Sequence, residues 1–323
     1  MCVRRTGVLL AVLLTVVGLV GCSGSGDQRR PGPAAAPSTG PTATPGPLVP
    51  PGVAPARAFA VGVRDITVER SDRKLPVTIW YPATGTAGGT PTRGRSAADG
   101  RFPVVIFSHG LSARPADYQL LLTRWAAAGF VVAAPTYPHT SRGVQLNVLD
   151  VLNQPADASY VLTRVLALDG RAGDPLRGRL ATDRVAAAGH SAGGVTTIGL
   201  FTASRDPRLD AGVVLAGSAL GVGTAFAGAA APQLYVHGER DDVVSYAEGK
   251  AAYDMVPWPK AMLSLPEGDH GRSLLRKGDP AFPVVGDTTV EFLRWSLYGD
   301  PAAKRRLARE ATAGNVAVLD DHL

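Results

Sequence analysis

A serine flanked by spaced glycines, Gly189-His190-Ser191-Ala192-Gly193, stands between a short apolar stretch, Arg184 to Ala188, and a helix-like stretch, Ala192 to Phe201. Strand, tight turn and helix in immediate succession arise where a chain turns back at the edge of a sheet. The glycines let the backbone pass at close range there, and the serine hydroxyl is pushed out at the sheet's C-terminal edge. G-x-S-x-G also occurs by chance in Gly/Ala-rich chains, where the serine would only cap a helix. The strand before it and the helix after it favour an exposed nucleophile.

The rest of the chain repeats the same alternation. Val63 to Val68 and Val77 to Tyr81 read as an antiparallel hairpin, the second strand ended by Pro82. Pro103 to Phe107 is a continuous apolar run suited to a strand buried on both faces. Further strands follow at Phe130–Ala134, Val185–Ala188, Gly212–Ala216, Gln233–His237 and Lys260–Leu265. Helical periodicity marks Tyr118–Ala128, Ala156–Leu168, Ser191 to about Ala203, Tyr246–Met255 and Thr288–Leu297. This is the α/β class: a mostly parallel central sheet with helices on both faces, and with no internal repeat. The segment 217–231 is short and rich in Ala and Gly, which predicts an open site without a large cap, or with a mobile flap.

A serine hydroxyl is a poor nucleophile at neutral pH and needs an adjacent base, itself oriented by an acid. In open sheets that use this turn, the partners follow in the order serine, acid, histidine. Only His237, His270 and His322 follow Ser191. His322 is next to the C-terminus, where chains tend to be disordered. His237 ends a strand ahead of the acid candidates. His270 remains, in the loop Pro266-Glu267-Gly268-Asp269-His270-Gly271. For the acid, the stretch Gly238 to Val244 after a strand offers Asp241, with Asp242 in reserve; a merely solvated turn is the competing reading.

The tetrahedral intermediate of acyl transfer needs two backbone N–H groups aimed at its oxyanion. Ala192, after the nucleophile, supplies one; Leu111, in the turn Ser108-His109-Gly110-Leu111, supplies the other. His109 and His190 then need only packing or loop hydrogen bonding. Tyr137, His139 and Trp258 lie in loops that can border a pocket.

The N-terminus has a different character. Arg4 and Arg5 precede an apolar run from Gly7 to Val20, the layout of a secretory signal and short for a membrane-spanning helix. The closing Leu19-Val20-Gly21-Cys22 resembles a bacterial lipobox, which implies lipid attachment at Cys22; an ordinary signal peptide or an uncleaved anchor helix would also show such a run. From Ser23 to about Pro55, Pro, Gly, Ala, Ser and Thr dominate, as in an extended tether. Both cysteines, Cys2 and Cys22, lie in this region, so no disulfide or thiolate metal site is available to the remainder. The formal net charge of +6 falls to +4 without Arg4 and Arg5, and the basic residues are scattered, which argues against nucleic acid as a partner. The organisation expected is a signal over 1–21, a lipid-anchored linker over 22–57, a catalytic domain over 58–300 and a C-terminal helix or tail over 301–323.

Four segments carry a family resemblance: Phe107-Ser108-His109-Gly110-Leu111-Ser112, the run Ala127 to Pro135, Gly189 to Gly194, and His237-Gly238-Glu239-Arg240-Asp241. Together they resemble the dienelactone-hydrolase-like branch of the α/β-hydrolases, closest to platelet-activating-factor acetylhydrolase and chlorophyllase-like serine esterases, over roughly Val61 to Tyr298. The resemblance implies the α/β-hydrolase fold and carboxylic ester hydrolysis, with Leu111 and Ala192 as oxyanion donors. Dienelactone hydrolases proper carry a cysteine nucleophile where this chain has serine, and Ala192 is smaller than the residue some acetylhydrolases carry, so neither substrate transfers.

The expectation is a secreted esterase anchored to the outer face of the cell membrane through Cys22. It acts as a monomer on short-chain or lipid-derived esters, with Ser191, Asp241 and His270 as its triad and no metal or cofactor. An acyltransferase with a cell-envelope acceptor would use the same triad. A binding protein on a retired hydrolase fold would usually have lost one of its members.

Overall fold

The computed structural model describes residues 52–323. The chain enters the sheet through β1 (Ala60–Arg70), β2 (Arg73–Ala83) and the two-residue β3 (Thr92–Arg93). Then β4 (Phe102–Ser108), α1 (Gln119–Ala127), β5 (Val131–Pro135), α2 (Gln154–Leu166), β6 (Leu180–His190) and α3 (Ala192–Gly199) alternate. They are followed by β7 (Leu209–Leu215), β8 (Gln233–Gly238), α4 (Tyr246–Asp254) and β9 (Lys260–Leu265). The chain closes with α5 (Arg272–Leu275), α6 (Ala281–Tyr298), α7 (Pro301–Ala311) and β10 (Val318–His322).

All the strands form one sheet in the order β10-β9-β8-β7-β6-β4-β5-β2-β1-β3. From β9 to β5 every neighbouring pair is parallel, while β2, β1 and β10 join antiparallel to their inner neighbours. Alternate residues of the central strands serve opposite layers, which explains their unbroken apolar runs. Val105 and Phe107 of β4 pack in one core cluster, whereas Val104 and Ile106 pack in the other. The first cluster is closed by α1, α6 and α7, and the second by α2. This is the α/β-hydrolase fold.

Local chemistry sets the helix ends. Ser245 and Glu248 form a capping box at the start of α4. Gly299, at φ 67°, ends α6 in the left-handed conformation, and Asp300 then caps α7 by accepting from the Ala302 N–H at 2.9 Å. The apolar period predicted only Thr288–Leu297 of α6; the helix begins at Ala281, because Pro283 falls in the first turn, where its missing N–H has no intrahelical partner to lose.

The C-terminal segment holds the expected helix, α7, but continues past it into a strand, with Val318 opposite Ser264 and His322 opposite Lys260. This edge strand is half-buried to exposed throughout, so it has no apolar alternation to betray it. His322 is therefore an ordered residue at the sheet's edge.

Between β7 and β8, residues 216–232 form neither helix nor strand, and the described residues include no large cap. The segment is tied down: Thr202 Oγ1 donates to the Val222 carbonyl at 2.6 Å, Arg205 Nη2 donates to that of Ala229 at 3.2 Å, and Phe226 packs edge-on against Trp258.

The order of strands decides where a site can form. The chain runs outward from β4 to β5, returns past β4 to β6, and then runs the other way. The crevice beyond the C-terminal ends of β4 and β6 is thus the switch point of an open parallel sheet, the place where such sheets bind ligands. Ser108 pairs with Gly189 there, so the connection after β4 and the serine turn leave the sheet at the same level.

Candidate active site

Ser191 follows β6 directly and has φ 56° and ψ −121°, a conformation that costs energy for any residue with a side chain. Its N–H donates to the Leu215 carbonyl at 2.9 Å, while its carbonyl accepts from Gly194 and Val195, locking the turn between β7 and α3. The flanking glycines are required by space. A Cβ at Gly189 would fall 2.1 Å from the Gly193 carbonyl oxygen, and one at Gly193 would fall 1.9 Å from that of Ser108.

The connections after β8 and β9 bring the other two residues to this turn. They are stitched together by backbone bonds, from Glu239 N–H to the Leu265 carbonyl at 2.9 Å and from Arg240 N–H to that of Gly268 at 3.0 Å. Between them, His270 Nδ1 lies 2.7 Å from Asp241 Oδ2, and His270 Nε2 lies 2.9 Å from Ser191 Oγ. The structure thus unites Ser191, His270 and Asp241, whereas Asp242 is exposed.

The Asp241 side chain is fully buried. Burial alone would raise its carboxyl, but hydrogen bonds from His237, His270 and the N–H groups of Val244 and Val243 outweigh it and hold the acid well below the usual carboxylate range. The carboxylate therefore stays ionised and accepts from Nδ1–H, leaving His270 Nε2 free to accept the serine proton.

His237 is the residue that sequence reasoning set aside. Its Nε2 donates to the Val244 carbonyl at 2.9 Å and lies 3.3 Å from Asp241 Oδ2, so it braces the acid loop from the strand end. Its only signal in the sequence was position, four residues before the acid.

The turn Gly110 to Ala113 has its N–H groups assigned one by one. Gly110 donates to the Tyr118 hydroxyl at 3.0 Å, Ser112 to the Thr140 carbonyl at 2.7 Å, and Ala113 to the Gly110 carbonyl at 3.1 Å. Leu111 is the exception: among the described residues its N–H has no partner, and the same holds for Ala192 N–H at the start of α3. Both flank the serine turn, since a Cβ at Gly110 would approach Ser191 Cβ to 3.3 Å.

The remaining candidates fall in different places. Tyr137 is buried beneath the turn, with its hydroxyl 2.8 Å from Ser108 Oγ. His139 is exposed. Trp258 precedes β9 and packs on Phe201 and Phe226, which puts it at the N-terminal edge of the sheet, opposite Ser191. His109 and His190 are both buried, and desolvation pushes each down to about 4. Cys22 lies outside the described residues.

No curated protein matches the chain. A family profile described as PETase, PET hydrolase-like, matches residues 63–296, well over half of the sequence, from β1 to within α6. Its match supports the α/β-hydrolase superfamily and leaves the narrower acetylhydrolase and chlorophyllase kinship to the motifs alone. The chain belongs to the PET hydrolase-like family of α/β-hydrolases, whose chemistry is carboxylic ester hydrolysis.

Proposed function

We propose that the protein hydrolyses carboxylic esters through an acyl-enzyme on Ser191. The observation that carries this reading is the line of hydrogen bonds Ser191–His270–Asp241 beside two N–H groups without partners among the described residues. His270 Nε2 takes the hydroxyl proton as Ser191 Oγ attacks the ester carbonyl carbon. Leu111 and Ala192 N–H hold the oxyanion, and Asp241 stabilises the imidazolium. Collapse breaks the bond to the alcohol, which leaves with the proton from Nε2. A water, deprotonated by the same nitrogen, then releases the acid and regenerates the serine.

The rim of the site favours apolar esters of short acyl length. Leu111, Leu146, Leu149, Leu152, Leu220 and Val243 are all exposed, Leu149 to 74% and Leu220 to 70%, and all lie in connections leaving the C-terminal ends of parallel strands, the edge that carries Ser191. PET, named in the family's description, is one candidate ester; a lipid-derived ester of the cell envelope would suit a monomer tethered through Cys22.

A fluorophosphonate probe should label Ser191, and Ser191→Ala should abolish both labelling and hydrolysis; an active Ser191→Ala enzyme would overturn the reading. Across p-nitrophenyl esters, acetate and butyrate should be turned over fastest, while preference for palmitate would contradict the open site. Cys22→Ser should abolish incorporation of a labelled fatty acid into the protein; unchanged labelling would overturn lipid attachment at Cys22.

A further inference from the structure

The hydrolytic cycle leaves one buried group beside the nucleophile without a task. His190 ends β6, with 5% of its surface exposed. Its Nε2 lies 2.6 Å from the His270 carbonyl oxygen, and its Nδ1 lies 2.8 Å from the Tyr118 hydroxyl, which also receives the Gly110 N–H at 3.0 Å.

Every proton in this chain of bonds can be assigned. A carbonyl only accepts, so His190 Nε2 carries the hydrogen. On a neutral ring Nδ1 is then the acceptor, and the Tyr118 O–H must donate to it. That leaves a tyrosine lone pair for the Gly110 N–H. A neutral His190 makes all three bonds with no donor left over, whereas an imidazolium would turn the Tyr118 O–H away from the ring and leave it without an acceptor. The rings are also wedged: His190 and His270 lie 4.8 Å apart between centroids, and Tyr118 lies 4.8 Å from Phe107.

The position of this chain gives it significance. The oxyanion turn follows β4 and the base follows β9, with β6, β7 and β8 between those strands. No backbone ladder sets one against the other. A displacement of about 1 Å between catalytic groups can cost ~100-fold in rate.

We propose that His190 and Tyr118 form a neutral strut that holds the oxyanion turn at Gly110-Leu111 and the base loop at His270 in register across Ser191. Both are positioning residues, and the proposal rests on the ester-hydrolase reading above. A glutamine amide, with a donating NH2, an accepting oxygen and no charge, can replace the imidazole in this role. A side chain that merely fills space cannot.

The test uses the full chain with p-nitrophenyl acetate, comparing Tyr118→Phe, His190→Leu, His190→Gln and the Tyr118→Phe/His190→Leu double variant, with Tm measured for each. The strut predicts kcat lower by about tenfold in Tyr118→Phe and His190→Leu with KM within about twofold, because misplacement acts on the transition state. It predicts that His190→Gln recovers most of the loss, and that the double variant is no slower than His190→Leu, since one broken link already opens the chain. Unchanged kcat in Tyr118→Phe, equal losses in folded His190→Gln and His190→Leu, or additive losses in the double variant would each overturn it. Should His190→Leu not fold, Tyr118→Phe, which removes a single oxygen, decides alone. A wild-type chain that fluorophosphonate labels, with variants as fast as wild type, rejects the strut only; an unlabelled, inactive wild type rejects the hydrolase reading and the strut with it.

Discussion

The backbone N–H of Ser112 donates to the carbonyl of Thr140 at 2.7 Å, joining the connection after β4 to the connection after β5. Thr140 is itself held: Gln154 Nε2 donates to Thr140 Oγ1 at 2.6 Å, and Thr196 Oγ1 on α3 donates to Gln154 Oε1 at 2.6 Å. All three side chains are buried. The turn that presents Leu111 N–H is therefore referenced to the same helix that presents Ala192 N–H.

Replacing Gln154 with Met keeps the volume and deletes both links. Two buried hydroxyls lose a partner, which should destabilise the fold by about 1–3 kcal/mol. Urea unfolding measures this loss. Because the turn is loosened without losing any catalytic group, kcat should fall by roughly tenfold with KM nearly unchanged; full activity in a destabilised variant would separate the network from catalysis.

The two neighbouring aspartates should behave very differently. Asp241→Asn removes the carboxylate that sets the His270 tautomer and should lower kcat by about 10⁴-fold. Asp242 is exposed, and its Asn variant should stay within about twofold of wild type. Steady-state kinetics on both variants checks the assignment, and the reverse pattern would refute it.

Arg73 on β2 forms bidentate ion pairs with Asp150 and Asp157, with contacts of 2.6–3.0 Å. The aspartate side chains are 3% and 0% exposed. Arg73→Met would leave buried carboxylates undercompensated and should cost about 3–5 kcal/mol. Asp150 lies in the turn Val148–Asn153, which carries Leu149 and Leu152 of the apolar rim. Hydrogen exchange in that turn should therefore rise more than in β7; uniform protection across the variant would contradict the anchoring role.

Acid should weaken the fold before its carboxylates titrate. His109 and His190 are lowered from 6.5 to about 4, chiefly by burial. His109 also receives the Tyr137 N–H on Nε2 at 3.1 Å, which a proton there would displace. The unfolded chain binds these protons as pH falls below 6.5 and the native chain does not, so their contribution is complete above pH 6.5, declines toward pH 4 and changes little below it. Each histidine accounts for up to about 3 kcal/mol over that window. Denaturant unfolding at successive pH values should show the decline, and His109→Gln should remove about half of its slope whatever its stability at pH 7. An unaltered slope would show that His109 does not contribute.

Much of the architecture was legible because it is written in short-range patterns. The strands β4, β5 and β8 read as unbroken apolar runs, since both faces of the sheet are covered, and Ser191 was marked by glycines that sterics demand. The chain order of serine, acid and histidine singled out His270 and narrowed the acid to Asp241, with Asp242 in reserve; the fold then brings Asp241 to His270. Other features had no local signature. β10 is half-buried to exposed and exists through its pairing with β9, some fifty residues earlier. The loop position of Trp258 suggested a place near the pocket, but strand direction puts it at the opposite edge. Chain order excluded His237 as the base, yet it reaches Asp241 because a strand end and the following turn fold back on each other.

By itself, the sequence determined the central elements and their order, β10 excepted: caps, turns and buried strands follow from backbone sterics and side-chain polarity over a few residues. The elbow at Ser191 belongs to this group, since Gly189 and Gly193 permit a crossing that any Cβ would block. Only the tertiary structure decided which groups meet. Asp241 rather than Asp242 faces His270, Leu111 alone in its turn keeps an N–H without a partner among the described residues, and His190 spans two loops whose strands are not neighbours. The reason is physical. These contacts join residues that are far apart in the chain, and their geometry is set by sheet register and helix packing, which no local pattern encodes.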